Sequence, residues 1–358
     1  MVGEIRLQTT YGQDPSDGHW GCPLRERWGL SNYQQLSLAL EDKLAFTLTT
    51  TTSYEEAAAT ADKWGSPISP STLHSLAQRL GSQAEEQTQA RLQAAPPKET
   101  QPQRAPSQLG VLMLDGWIVR QRGAGWGRKK TKQNRVEWHE WKTGTYYQIE
   151  QASRSEKGRG QLLQKSLVGW QGKPDEFGQR LHHEALRAGL GRARQSLVVA
   201  DGAPWIWKLA QERWPQAEQV LDFYHATEHL WELSRQQWAC QTPQVESWVD
   251  EQRHRLRHGQ EEQVLQEIAG LKNPRGLRGQ AVKREAAYFQ NHRERMNYAA
   301  HHERGHPIGS GTVESSCRQR QCRFKRPGQF WTPKGMRNLG SLCEARHNRH
   351  WDELWLQT

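Results

Sequence analysis

Val111-Leu112-Met113-Leu114-Asp115-Gly116 and Leu197-Val198-Val199-Ala200-Asp201-Gly202 are the stretches on which the fold turns. Each is a short apolar run without helical spacing, as expected of a strand buried on both faces. Each closes on an aspartate followed by a glycine. A carboxylate is therefore expected at the carboxyl edge of each strand, where α/β sheets place their ligands. An aspartate at such a position also commonly serves only as a turn or cap residue.

Around these runs the pattern continues. Residues 136–141 and 146–149 read as two strands about a turn at Thr143-Gly144, residues 174–190 and 205–214 as helices, and residues 220–223 as a short strand. Three strands, helix, strand, helix, strand is the order of an α/β sheet with helices packed on it. After His225 the chain reads as a long helical insertion, returning at Gly309-Ser310-Gly311-Thr312, the start of a helix that carries Glu314. Asp115, Asp201 and Glu314 then supply three hard oxygen donors from separate elements, the kind of set that Mg²⁺ takes while keeping room for phosphate. Two such ions about 4 Å apart support in-line phosphoryl transfer. Arg318, Arg320, Arg323 and Lys325 on the Glu314 helix are expected to form an electropositive strip.

Ahead of the sheet, residues 31–81 read as three helices. Ser53 and Glu56 form a capping box, Gly65 closes that helix, and Ser69 caps the next with Pro70 at its first position. Two short helices about a tight turn suggest a helix-turn-helix, with Ser71, Thr72, His74, Ser75, Gln78 and Arg79 on its open face. Helical hairpins that touch no DNA are also common. Residues 82–108, rich in Gln, Ala and Pro, suggest a helix running into a linker.

The net charge is +10 and is concentrated. Residues 115–142 hold eight basic against three acidic side chains, and residues 314–337 seven against one. Arg128, Lys129, Lys130 and Lys132 lie in the first of these stretches. Such clustering favours a polyanionic partner, because neutralising phosphates releases counterions. Trp117, Trp126, Trp138, Trp141 and Trp331 lie in or beside the basic stretches, where they either stack on bases or pack in the core. Five cysteines without paired spacing point to a reducing compartment, taken as the cytoplasm with nucleoid association, and no apolar run reaches the length of a membrane span. His19 with Cys22, Cys317 with Cys322, and the group His292, His301, His302 and His306 lack zinc-finger spacing, so no zinc is expected.

The strings VLMLDGWIV, VVADGAPWIWKLAQERWP, LDFYHATEHLWEL and GHPIGSGTVES, with the trailing RFKRPGQFW and HNRHWDELW, resemble the ISKra-type bacterial insertion-sequence transposases over roughly residues 110–355. The resemblance implies a DDE transposase with a ribonuclease-H-like α/β core, a mixed sheet flanked by helices. It implies Asp115, Asp201 and Glu314 as the catalytic, metal-holding triad for two Mg²⁺ or Mn²⁺ ions, and double-stranded DNA, transposon ends and target, as partner of a homodimer or higher oligomer. Asp222 and His225 resemble an Asp-x-x-His pair that contacts phosphate or orients such a site; they equally well cap the following helix. The expected organisation is a helical DNA-binding module (1–81), a linker (82–108), the first part of the core (109–228), the helical insertion (229–304) and completion of the core (305–358). A catalytically inactive, transposon-derived DNA-binding protein is the alternative.

Overall fold

The apolar runs form adjacent strands of one five-stranded mixed sheet. Its members are β1 (Leu109–Arg122), β2 (Val136–Gln148), β3 (Ser166–Trp170), β4 (Gln195–Ala200) and β5 (Glu218–Leu221), in the order β3-β2-β1-β4-β5. β1, β4 and β5 run parallel, while β2 and β3 pair antiparallel with each other. Leu197, Val198, Val199 and Ala200 have no exposed surface, as befits a central strand covered on both sides. The computed structural model describes residues 10–27, 36–94, 107–127, 135–154, 160–238, 243–272 and 274–356. Arg128, Lys129, Lys130 and Lys132 lie outside the described residues.

Two expectations about strands need correction. Thr143-Gly144 is no turn: both residues sit inside β2, paired with Gly169 and Val168 of β3. The glycine serves packing, since a Cβ there would come 2.5 Å from Leu181 Cδ2 and 2.9 Å from Phe177 Cζ of the helix lying against the strand. The third strand is instead Ser166–Trp170. Nor does β1 stop at Asp115. Its pairing with β4 ends at Leu114, and the strand continues to Arg122.

Apart from the one-turn helix Pro23–Arg27, the α-helices among the described residues are α1 (Leu38–Thr50), α2 (Tyr54–Lys63), α3 (Pro70–Gln93), α4 (Pro174–Arg187), α5 (Pro204–Arg213), α6 (Phe223–Trp238), α7 (Pro243–Arg257), α8 (Glu261–Ala269), α9 (Leu277–Asn291), α10 (Tyr298–Glu303), α11 (Gly311–Phe324) and α12 (Pro333–His347). Ser53 Oγ accepts from Glu56 N at 3.0 Å, satisfying a donor that the helix leaves open, and Glu56 reaches back past the cap to Thr52 N at 2.7 Å. Ser69 Oγ caps α3 through Thr72 N at 3.1 Å. α3 is longer than the short second helix expected of the hairpin, because residues 82–93 continue it and Gln83 and Gln87 bond the carbonyls of Leu354 and Glu353. α6 to α10 make up the helical stretch after β5. No helix among the described residues is long and apolar enough to cross a membrane.

The chain divides into two compact units, one of residues 1–90, 120–137 and 321–358, the other of residues 91–119 and 138–320. Residues 321–358 group with the N-terminal helices. Within the first unit, Asn338 Nδ2 of α12 donates to the Gln78 carbonyl and to Gln78 Oε1 of α3, each at 3.1 Å, and Gly81 leaves room for the Asn338 backbone. Arg122 N donates to Trp331 O at 2.8 Å, so the far end of β1 also belongs to that unit. The second unit holds most of the sheet and the carboxylates.

Candidate active site

Register sets the site. Leu114 of β1 pairs with Ala200 of β4, and Ala200 pairs with Leu221 of β5. The next residues are Asp115, Asp201 and Asp222, so three carboxylates leave three adjacent parallel strands at the same level, spaced as neighbouring strands are, about 4.8 Å apart. Asp222 N bonds the Ala200 carbonyl at 2.7 Å, which holds the last two ends together. Asp201 Oδ1 accepts from Ala203 N at 3.0 Å, keeping part of a turn residue's role.

Asp222 is fully buried and joins three elements. Its Oδ1 accepts from Tyr224 N at 2.6 Å and His225 N at 2.8 Å, capping α6. Its Oδ2 accepts a short bond from Ser310 N, at the start of α11. Ser310 Oγ in turn donates to Glu314 Oε1 at 2.8 Å. Ligand atoms of Asp222, His225 and Glu314 lie within 4.8 Å of one another. Among the described residues, neither Asp115 nor Asp201 joins a trio that tight. Thus Asp222 caps α6 and is linked through Ser310 to Glu314.

Charge is divided unevenly. Burial raises the Asp115 carboxyl above its ordinary value; the Cys317 thiol, donating to it, opposes this, and neighbouring Asp201 adds to it. The Cys317 thiol itself is pushed far up by burial and by Asp115. Asp222 goes the other way: burial would raise it, but bonds from His225 and Ser310 prevail and hold it low. His225, with Nδ1 3.5 Å from Asp222 Oδ1, is raised from 6.5 to about 9, first by that carboxylate, against the opposing effect of burial, with Asp201 contributing. It is an imidazolium at neutral pH, facing Asp115, Asp201, Asp222 and Glu314.

Several participants carried no sequence signal. Cys317 lies one helical turn beyond Glu314, and only folding brings it to Asp115. Lys165, its charge disfavoured by burial, donates to Ser316 Oγ at 2.7 Å and Thr312 O at 3.4 Å on α11. Tyr288 of α9 donates to the Asp201 carbonyl at 2.9 Å and stacks on His229, which contacts Glu285 at 2.6 Å. Gly202, at φ +102, makes room for the Tyr288 ring. The helical insertion therefore buttresses the end of β4.

The expected basic strip is only partly exposed. Arg318 and Lys325 face solvent, whereas Arg320 and Arg323 are buried. Arg323 is engaged elsewhere: its guanidinium lies 4.9 Å from the Tyr54 ring and donates to Thr52 O at 3.1 Å. The helical period explains the split, since residues three apart share the face turned inward. On α3, Gln78 is turned to α12, Arg79 is paired with Glu41 at 2.6 Å and His74 meets Tyr54 edge to face, while Ser71, Thr72 and Ser75 are exposed. Of the five tryptophans, Trp117, Trp141 and Trp331 are core residues and Trp138 is exposed.

Carboxylates at adjacent strand ends, Asp201 disfavouring the ionisation of Asp115, with a further carboxylate on the adjoining helix, form a hard-oxygen donor set suited to Mg²⁺ or Mn²⁺. Comparison with solved structures finds the Drosophila P element transposase strand transfer complex, with a TM-score of 0.41 and 12% identity over 93% of this chain and 96% of that one. No protein-family model matches the chain, and a search of the curated proteins found no match.

Proposed function

We propose that this chain is a DDE-type DNA transposase with a ribonuclease-H-like core, hydrolysing phosphodiesters at the ends of an insertion sequence and transferring the freed strand to target DNA. The observation that carries this reading is the register-matched exit of Asp115, Asp201 and Asp222, with Glu314 tied to Asp222 through Ser310. Asp115, Asp201 and Glu314 are the residues that would hold the divalent ions. Bound there, such ions supply Lewis acidity at the phosphoryl group and a more acidic attacking water.

The remaining work falls to the chain's own side chains. The Cys317 thiol, by donating to Asp115, favours its ionised form despite burial. Asp222 keeps His225 protonated, and the imidazolium gives a phosphate oxygen a charged donor amid carboxylates that would otherwise repel it. Tyr288 holds the backbone at Asp201, and Ser310 orients Glu314. Arg318 and Lys325 meet the DNA backbone, as do Arg128, Lys129, Lys130 and Lys132. The α2–α3 hairpin recognises the ends through the exposed Ser71, Thr72, His74, Ser75 and Arg79, Gln78 being held by α12, and the active form is a homodimer or higher oligomer on DNA.

The test is cleavage of the DNA flanking the gene, in Mg²⁺ or Mn²⁺, by wild-type and Glu314→Gln protein. Metal-dependent nicking at the ends by wild type alone supports the proposal. Equal nicking by both proteins overturns it, and end binding without nicking by wild type supports the inactive, DNA-binding alternative.

A further inference from the structure

A second cluster of metal-ligating side chains lies at the other end of β5. Glu218 opens the strand whose last residue precedes Asp222, so the two groups are separated by roughly 13 Å of extended chain. Ligand atoms of Glu218, His301 and His306 lie within 4.8 Å of one another. His301 Nδ1 is 3.4 Å from His306 Nδ1, and His301 Nε2 is 3.8 Å from Glu218 Oε2. Ligand atoms on a tetrahedral zinc ion, each about 2.0–2.1 Å from it, stand about 3.3 Å apart. His301 can give only one of its two nitrogens to the ion, and with one ligand atom per residue, all within 4.8 Å, closing the trio needs shifts of up to about 1.5 Å.

The backbone holds these groups ready. His306 N bonds the His301 carbonyl at 2.8 Å, and Gly305, at φ +71, makes the turn that sets both imidazoles on one side. Arg304, within the same turn, grips Glu218 with Nη1 at 2.8 Å and Nη2 at 2.7 Å. That grip orients the carboxylate and leaves lone pairs on each oxygen, as second-shell partners of metal-binding carboxylates do. Burial, helped by Arg304, lowers the pKa of both imidazoles and keeps them neutral, the form that binds metal. His301 is buried, whereas His306, Glu218 and Arg304 retain access to solvent.

We propose that Glu218, His301 and His306 bind one divalent transition-metal ion of the zinc class, with the fourth position open to water or an anion. Two imidazoles select zinc-class ions over Mg²⁺, so the site is chemically distinct from the carboxylate cluster. Arg304 Nη2, 3.2 Å from His301 Nδ1, is the contact that the ion displaces. His306 lies four residues before Ser310, and Phe223 N bonds the Ile308 carbonyl between them at 2.9 Å. The ion would thus fasten the segment leading into the Glu314 helix to the start of β5.

The test uses the full chain, stripped with chelator and titrated with Zn²⁺ and, for its visible bands, Co²⁺. Wild-type protein is expected to bind one Zn²⁺ that millimolar Mg²⁺ does not displace, and Glu314→Gln should leave that ion in place. His306→Gln should lose it, or bind it at least about 100-fold more weakly, with no change in circular dichroism; loss of a ligand should cost no less than the 10–100-fold typical of outer-shell partners. His306 is chosen because its side chain is less buried than that of His301. Equal zinc stoichiometry and affinity in wild type and His306→Gln would overturn the proposal and leave Glu218–Arg304 as a structural ion pair.

Discussion

Replacing Asp222 with asparagine isolates the group on which the site's electrostatics turn. Asp222→Asn keeps the size of the side chain and removes the charge that faces His225. In the wild-type protein that charge raises the imidazole from 6.5 to about 9, a difference worth about 3 kcal/mol between its two protonation states. In the variant burial opposes what Asp201 and Glu228 still contribute, so His225 should titrate near its ordinary value. Because the folded pKa is the raised one, the stabilisation from this pair is fully present below about 6.5 and is lost as pH rises through about 9. The assay is nuclear magnetic resonance titration of the His225 ring in chelator-treated protein, wild type and variant side by side. Wild type should titrate well above 8 and the variant below 7, and at neutral pH the variant should bind DNA with one fewer positive group in the site. A variant whose His225 still titrates near 9 would refute the assignment of Asp222 as the cause.

Exposure of Arg318 and Lys325, against burial of Arg323, divides their expected effects. Replacing Arg318 and Lys325 together with glutamine should reduce the slope of log affinity against log salt by about two, whereas Arg323→Gln should leave the slope alone and lower the melting temperature; a fallen slope in the Arg323 variant counts against its buried placement. Cys317→Ala removes a donor that favours ionised Asp115, so the acid limb of metal-supported cleavage should move to higher pH, and a limb that stays put or moves lower contradicts the contact. Gly144→Ala forces a methyl against Leu181 and Phe177 and should destabilise the fold by about 1–3 kcal/mol; unchanged thermal unfolding would mean that α4 does not press on β2 there.

What the sequence determined by itself is what depends on neighbours along the chain. Four apolar residues before Asp115 and before Asp201 suffice to make buried strands, and Ser53, Ser69 and Gly65 suffice to start and stop helices, because caps and turns are satisfied within a few residues. The glycine in β2 misled for the same reason: locally it marks a turn, and only the pressure of Leu181 and Phe177 from α4 gives it another purpose. Tertiary structure alone decided the rest. The pairing of Leu114, Ala200 and Leu221 in one row puts Asp222 level with Asp115 and Asp201, and strand register is not written in either partner. Whether an arginine on α11 faces water or Tyr54 depends on what packs there, so a sequence strip of four cations became two. Cys317 reaches Asp115, and Glu218 reaches His301 and His306, across chain separations that no spacing rule spans. Chemistry held by one element is legible in sequence; chemistry assembled from several appears only when the sheet brings their ends together.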